Sequence, residues 1–284
     1  MPDTKVKPGV YPGVDFDTYA TWDAANFSVL RHFGKTPAHA QYAMMHQEEK
    51  VSTNLGHLVH SVVLEPERLE TEYMVAPKVD RRTKTGKAEW AKFQQKAEGR
   101  VIVTEEDWMT AKVLLLNARS NMTLREMLGG EGINELSLVW EDPEIRVLCK
   151  ARLDRLCFFS GQPYILDLKT HGFAASRHSF QRAIEQYGYH QQAAFYRRGA
   201  EVLAPLEDGI ERRFAWGVLE TKEPNCVRVF DADDESLELG MDEVMSYLQQ
   251  YAMCRKNGAW PGWDQGMEIA GLPPWALKGR FADA

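Results

Sequence analysis

Three short segments of this chain hold residues whose types and spacing could do chemistry. They are Cys149-Lys150-Ala151-Arg152-Leu153-Asp154, Ile165-Leu166-Asp167-Leu168-Lys169-Thr170 and Gln192-Ala193-Ala194-Phe195-Tyr196. In a strand, residues i and i+2 point to the same face. Asp167 and Lys169 therefore project together, and Leu168 turns its side chain to the opposite face. Carboxylates and an ammonium on an apolar strand are costly unless a metal or a partner compensates them. Metal-assisted phosphodiester hydrolysis fits such a set. Hard carboxylate oxygens hold Mg²⁺ or Mn²⁺, and such an ion polarises a phosphate and acidifies water. Asp154 and Asp167 are the candidate metal ligands, with the backbone carbonyl of Leu168 as a further one. Lys169 is the candidate that orients the water or takes its proton. Gln192 and Tyr196, four residues apart, share one helix face. An isolated Asp-x-Lys is common in surface hairpins, so the weight rests on the surrounding residues.

The elements that must position these residues follow from pattern and punctuation. Leu136–Trp140, Val147–Phe159 and Tyr164–Lys169 read as strands, separated by turns at Asp142-Pro143-Glu144 and Ser160-Gly161-Gln162-Pro163. Antiparallel hairpins that present the carboxylates at one end of a sheet are expected. Further strands are expected at Phe214–Glu220 and Cys226–Asp231. Helices are expected at Ser28–Phe33, Pro37–Gln47, Thr53–Leu64, Lys87–Glu98, Ser176–Gln186, Tyr189–Ala200 and Glu235–Asn257. Another starts at Thr104-Glu105-Glu106-Asp107, a capping box with Asp in place of the usual Glu or Gln, and runs to Ser120. A short helical turn follows at Thr123–Leu128. Pro77–Gly86 reads as a basic loop, the first 25 residues as a surface wrap, and residues 260–284 as an irregular tail whose tryptophans (Trp260, Trp263, Trp275) cover the core or, as the alternative, mediate subunit contacts. The chain reads as one α/β (α+β) domain: a mainly helical part over 1–130, the sheet and its helices over 131–232, and a helix and tail over 233–284.

Asp154…Asp167-Leu168-Lys169 followed by Gln192-x-x-x-Tyr196 resembles the PD-(D/E)XK nuclease superfamily, in the branch with a Gln-x-x-x-Tyr helix. Upstream, Gly56-His57-Leu58-Val59-His60, which runs on to Leu64-Glu65-Pro66-Glu67, looks like that branch's Gly-x-x-x-His helix in its RecE (exodeoxyribonuclease VIII) form. Ser28-Val29-Leu30 with Thr36-Pro37-Ala38, Glu135-Leu136-Ser137-Leu138-Val139-Trp140 and Tyr187-Gly188-Tyr189-His190-Gln191-Gln192 are similar to further RecE-type segments. The resemblance implies a mixed sheet flanked by helices. It makes His60 a metal ligand, where an apolar helix face alone would more often hold a core histidine. It gives Gln192 and Tyr196 a bracing role beside nucleic acid. Glu135 either joins the acidic cluster or is an exposed strand-end residue. The resemblance further implies a Mg²⁺-dependent, double-strand-specific DNA exonuclease, with Mn²⁺ able to substitute, that works 5′ to 3′ and leaves 3′ single-stranded tails. It implies a ring-like homo-oligomer, a tetramer by analogy with a trimer as alternative, and a RecT-type single-strand annealing partner. An endonuclease or single-strand nuclease on the same core, and a degenerate DNA-binding module, are the competing readings.

Composition sets bounds. The 284 residues carry a formal net charge of −7, which runs against the basic footprint of most DNA-binding proteins. The charge is unevenly distributed. Residues 78–100 hold Lys78, Arg81, Arg82, Lys84, Lys87, Lys92, Lys96 and Arg100 against Asp80, Glu89 and Glu98, whereas residues 231–243 hold seven acids and no cation. Arg152, two residues from Asp154, is the first candidate for a DNA phosphate contact, with Lys150, Arg31, Arg81 and Arg82 behind it. Cys149, Cys157, Cys226 and Cys254 lack Cys-x-x-Cys spacing, which argues against a zinc site or an iron–sulfur cluster. No phosphate loop for ATP and no Gly-x-Ser-x-Gly elbow are present. No apolar run is long enough to span a bilayer, and a cytoplasmic, membrane-free protein is expected.

Overall fold

The computed structural model describes residues 5–46, 54–207, 209–263 and 266–273. The N-terminal segment forms β1 (Gly9–Tyr11), α1 (Phe16–Thr21), α2 (Phe27–Leu30), a 3₁₀ turn at Arg31–Gly34 and α3 (Pro37–Met45). Next come α4 (Asn54–Leu64), a 3₁₀ turn at Pro66–Arg68, α5 (Leu69–Glu72), β2 (Tyr73–Val75), α6 (Lys84–Lys96), β3 (Val101–Val103), α7 (Glu105–Ser120) and α8 (Met122–Gly129). The central part runs β4 (Gly132–Glu141), β5 (Leu148–Phe159), β6 (Gln162–His171), α9 (Arg177–Tyr187), α10 (Tyr189–Leu203), β7 (Arg213–Glu220), β8 (Val227–Asp231) and α11 (Asp234–Asn257).

The helix starts obey side-chain chemistry. Asp15, Asn26, Thr36, Thr83, Thr104, Asn121, Ser176 and Asp233 each accept a hydrogen bond from the backbone N–H three residues on, which satisfies a donor the helix leaves free. Thr83 thereby starts α6 at Lys84, three residues earlier than expected. At Thr104 the short Asp107 carboxylate accepts from the Thr104 hydroxyl (2.8 Å), whereas a longer Glu would reach back to the backbone.

Six strands form one mixed sheet in the order β1-β4-β5-β6-β7-β8. Every neighbouring pair is antiparallel except β6–β7, whose connection crosses over through α9 and α10. One face packs Leu136, Leu138, Trp140, Leu153, Ile165 and Trp216 against α2, α3, α9, α10 and α11. The other packs Leu166, Leu168 and Leu219 against α4, α7 and α8. The first residues are more than a wrap: β1 pairs with β4 from Gly9↔Val139 to Tyr11↔Ser137. The parallel pair β2–β3 was equally unexpected. These strands are only three residues long, too short to show a period. In the tail, Trp260 packs on Phe33 and Tyr251, whereas Trp263 is 74% exposed beside His39. Trp275, Gln47 and Thr53 lie outside the described residues.

Candidate active site

The register of β5 and β6 sets the geometry. Their pairing runs from Phe159↔Gln162 to Arg155↔Leu166 and ends there. The next backbone donor, the N–H of Leu168, is bonded by the Asp154 carboxylate (2.6 Å to Oδ2). Asp154 thus fills the mouth of a fork between two strands. By alternation from Ile165, Asp167 and Lys169 face α10. There Nζ of Lys169 lies 2.6 Å from Oδ2 of Asp167 and donates to Oε1 of Gln192 at 2.9 Å. Nε2 of Gln192 donates to Oδ1 of Asp167 at 3.4 Å. The three side chains close a triangle.

The opposite face supplies His60 from α4. Its Nδ1 is 3.5 Å from Oδ2 of Asp154. Glu135 joins them, and one ligand atom each from His60, Glu135 and Asp154 lie within 4.8 Å of one another. By alternation from Leu136, which packs on the α10 side of the sheet, Glu135 turns to α4. Asn134 donates to the Leu64 carbonyl at the end of α4, so two successive strand residues turn to the same helix where a regular strand would alternate. The φ of Glu135 is +51°, a left-handed conformation that a side-chain-bearing residue holds only under local constraint. Arg152 Nε donates to Glu135 Oε2 at 2.6 Å and fixes the carboxylate.

The electrostatics fit a divalent cation. Burial, then the nearby charge of Asp167, pushes the Asp154 carboxyl well above its ordinary range. Burial and Asp154 push Glu135 up, and Arg152 works against them. Burial holds the His60 imidazole below its ordinary value, against the pull of Glu135 and Asp167, so it is neutral and able to ligate. Oδ2 of Asp167 is buried and has no aligned hydrogen bond, although Lys169 stands 2.6 Å away. Clustered carboxylates, one neutral imidazole and a carboxylate oxygen without an aligned donor form a hard donor set that a metal ion would complete. His60, Glu135 and Asp154 could hold it, with Asp167 and the Leu168 backbone beside them.

Tyr196 lies on the same face of α10 as Gln192 and is hydrogen-bonded to it. Tyr189 belongs to the site as well, a residue that sequence reasoning named only as part of a RecE-type segment. Lys169 Nζ stands 4.6 Å from its ring centroid, and its hydroxyl bonds Nε2 of His171 at 3.2 Å. The i, i+3 spacing from Gln192 could have found it. Gly188 makes the placement possible. It ends α9 and starts α10 at φ +68°, a conformation that glycine adopts without steric cost.

The candidate DNA-contacting cations divide. Lys150 is corrected: it is 1% exposed, and its Nζ donates to the carbonyls of Tyr19, Ala20 and Trp22 at 2.9, 3.1 and 2.8 Å. It ties α1 to the sheet and cannot reach a phosphate. Arg152 is corrected too, since its guanidinium is committed to Glu135, Ser137 and the Val14 carbonyl. Arg31 is partly exposed, close enough to Tyr189 for its charge to act there. Arg81 and Arg82 are exposed in the loop before α6, Arg81 over the Trp90 ring at 3.5 Å and Arg82 paired with Asp80.

No helix among the described residues is long and apolar enough to cross a membrane. No curated protein matches the chain significantly. Among solved structures, a protein from Eubacterium rectale described as a "putative exonuclease" shares the fold, with a TM-score of 0.55 at 12% identity over 94% of this chain and 95% of that one. A Vibrio cholerae protein superposes with a TM-score of only 0.22 at 9% identity, over 84% of this chain and 59% of that one, too loosely to bear on the fold. Residues 26–269 match the profile of the PDDEXK-like domain of unknown function DUF3799, most of the chain, and the protein belongs to that family.

Proposed function

We propose that this protein is a Mg²⁺-dependent double-stranded DNA exonuclease, with Mn²⁺ as a substitute, which degrades one strand 5′ to 3′ and leaves 3′ single-stranded tails. The observation that carries the nuclease reading is the fork at Asp154, with His60 and Glu135 on one face and the Asp167–Lys169–Gln192 triangle on the other. The membership of a PDDEXK-like family supports it, and the RecE-type segments support polarity and end specificity.

Asp154, Glu135 and His60, with Asp167 and the Leu168 carbonyl, would hold the metal. When bound, the metal supplies charge neutralisation at the phosphate and acidifies water. The remaining work belongs to the chain. Lys169 is held by Asp167 and Gln192, so its Nζ stands in one place to orient the attacking water or take its proton. Gln192 fixes that orientation and Tyr196 braces Gln192. Arg31, partly exposed and with its charge felt at Tyr189, is the cation that remains for a terminal phosphate. By the same resemblance the enzyme works as a ring-like homo-oligomer beside a RecT-type annealing protein.

Degradation of 5′-phosphorylated linear duplex with Mg²⁺, beside a covalently closed circle and an Asp167→Ala control, tests the reading. Loss of the linear duplex alone, abolished by the substitution, is the expected result. Cutting of the circle would favour an endonuclease, and an active Asp167→Ala variant would remove the assigned site.

A further inference from the structure

The helix α6 stands apart in its use of charge. It is the crossover between the parallel strands β2 and β3, and most of its surface is in water. Gly86, Trp90, Phe93 and Ala97, at i, i+4, i+7 and i+11, form its one inward stripe and are buried or half-buried. The opposite face is centred on Ala88, Ala91 and Gln95 and flanked by Lys84, Lys87 and Lys92, all exposed. No acid lies on that face, since Glu89 sits at its margin. The cations around the helix are already occupied. Lys78 pairs with Glu105 and Arg82 with Asp80. Arg81 lies over Trp90, and Arg100 donates to the carbonyls of Glu70 and Lys96. Lys84, Lys87 and Lys92 have no ion-pair partner among the described residues.

The arm is also held in place. A Cβ on Gly86 would lie 2.0 Å from the Asp80 carbonyl oxygen, so loop and helix fit together only with glycine there. At its base, Tyr73 of β2 shares a 2.9 Å hydrogen bond with Ser61, the neighbour of His60. Tyr73 and Val103 pack with Val59, Val62 and Val63 of α4. The lysine face is therefore borne on the helix that carries His60, while the acidic start of α11 packs on the opposite side of the sheet.

We propose that α6 is a duplex-holding arm, whose Lys84, Lys87 and Lys92 grip the sugar–phosphate backbone of double-stranded DNA away from the cut, without reading sequence. The alanines between them let a phosphate chain lie close. The assignment rests on the nuclease reading for its substrate.

The test uses the full chain carrying K84Q, K87Q and K92Q together, in a Lys169→Met background that keeps the DNA intact, with binding to a long duplex followed against salt. Each lost phosphate contact lowers the slope of log K against log salt by about 0.9, so a fall of about 2.7 is expected. A weakening of roughly threefold to a hundredfold at moderate salt goes with it, as expected for three exposed ionic contacts. Arginine at the same three positions should restore the slope, which a folding defect would not allow. An unchanged slope and affinity overturns the arm, as does equal loss with arginine. Cleavage by the protein with Lys169 intact is scored separately, so an inactive enzyme whose lysines still set the salt slope would sink the nuclease reading and leave the arm standing.

Discussion

Replacing Asp154 by Asn should make the metal-free protein more stable while abolishing its response to metal. The asparagine Oδ1 can still accept the Leu168 N–H that Asp154 bonds at 2.6 Å, so the fork stays closed. What is lost is a negative charge beside Glu135, whose oxygen lies within 4.8 Å. At that separation and an effective dielectric of about 20, two unit charges repel by about 3 kcal/mol. Arg152, 2.6 Å from Glu135, offsets part of this, so the net gain is about 1–3 kcal/mol. For a chain of this size that is a rise in Tm of roughly 2–8 °C. The sign follows from linkage. The Asp154 carboxyl is raised by burial and by Asp167, so the folded metal-free protein binds its proton more tightly than the unfolded chain does. Its stability therefore falls as pH rises through the raised value, and the Asn variant escapes that loss. The assay is thermal unfolding at mildly alkaline pH, in chelator and in Mg²⁺ or Mn²⁺. The native protein should gain Tm with metal by mass action, and the variant should start higher and gain little. A variant that melts lower in chelator and still gains the full metal shift would refute both the electrostatic account and the ligand assignment.

Lys169→Met should cut DNA hydrolysis by about 10²–10⁴-fold yet keep the metal-induced Tm rise, because Lys169 is not in the donor set; loss of both would make its role structural. Lys150→Met should destabilise by about 3 kcal/mol in urea unfolding, since it removes three charge-assisted hydrogen bonds, to the carbonyls of Tyr19, Ala20 and Trp22; an unchanged midpoint would argue that α1 re-packs. Burial pushes Asp142 up, but Arg198 and the N–H groups of Ile145 and Glu144 outweigh it and leave the carboxyl below its ordinary value. Its stabilisation is therefore present above the unfolded pKa and is lost as pH falls through the folded one. Asp142→Asn should flatten the acid limb of a stability–pH curve, and a curve parallel to that of the native protein would contradict this.

The strands of the candidate site were legible because their apolar runs are long, and Asp167 and Lys169 share a face by simple alternation. The elements that escaped are short or irregular. β1, β2 and β3 have too few residues to show a period. Glu135 was ambiguous because it sits where the strand breaks its regular form: its φ is +51°, and Asn134 before it turns to α4 as well. Lys150 was misjudged for a related reason. A lysine in an apolar strand suggests a charged function, yet here three main-chain carbonyls receive all three of its protons. Its carbonyl partners lie far off in sequence, in residues 19–22, and no local pattern announces them. The cations of residues 78–100 could be counted in advance. Which of them were already spent on Asp80, Trp90 and Glu105 depended on the fold.

Because β6 and β7 run parallel, the chain between them must go out and return through residues 172–212 before the pair can form. The β4–β5–β6 hairpins close over short turns and can gather Glu135, Asp154 and Asp167 early, whereas long-range parallel pairing waits on a larger loop-closure entropy. Gln192 rides on that same excursion. The acidic cluster is therefore expected to assemble first, and Gln192, which bonds Lys169, arrives only when the crossover docks. A chain whose hairpins have formed while the crossover is still undocked would hold the carboxylates without Gln192, so the site would be completed only at the last stage of folding.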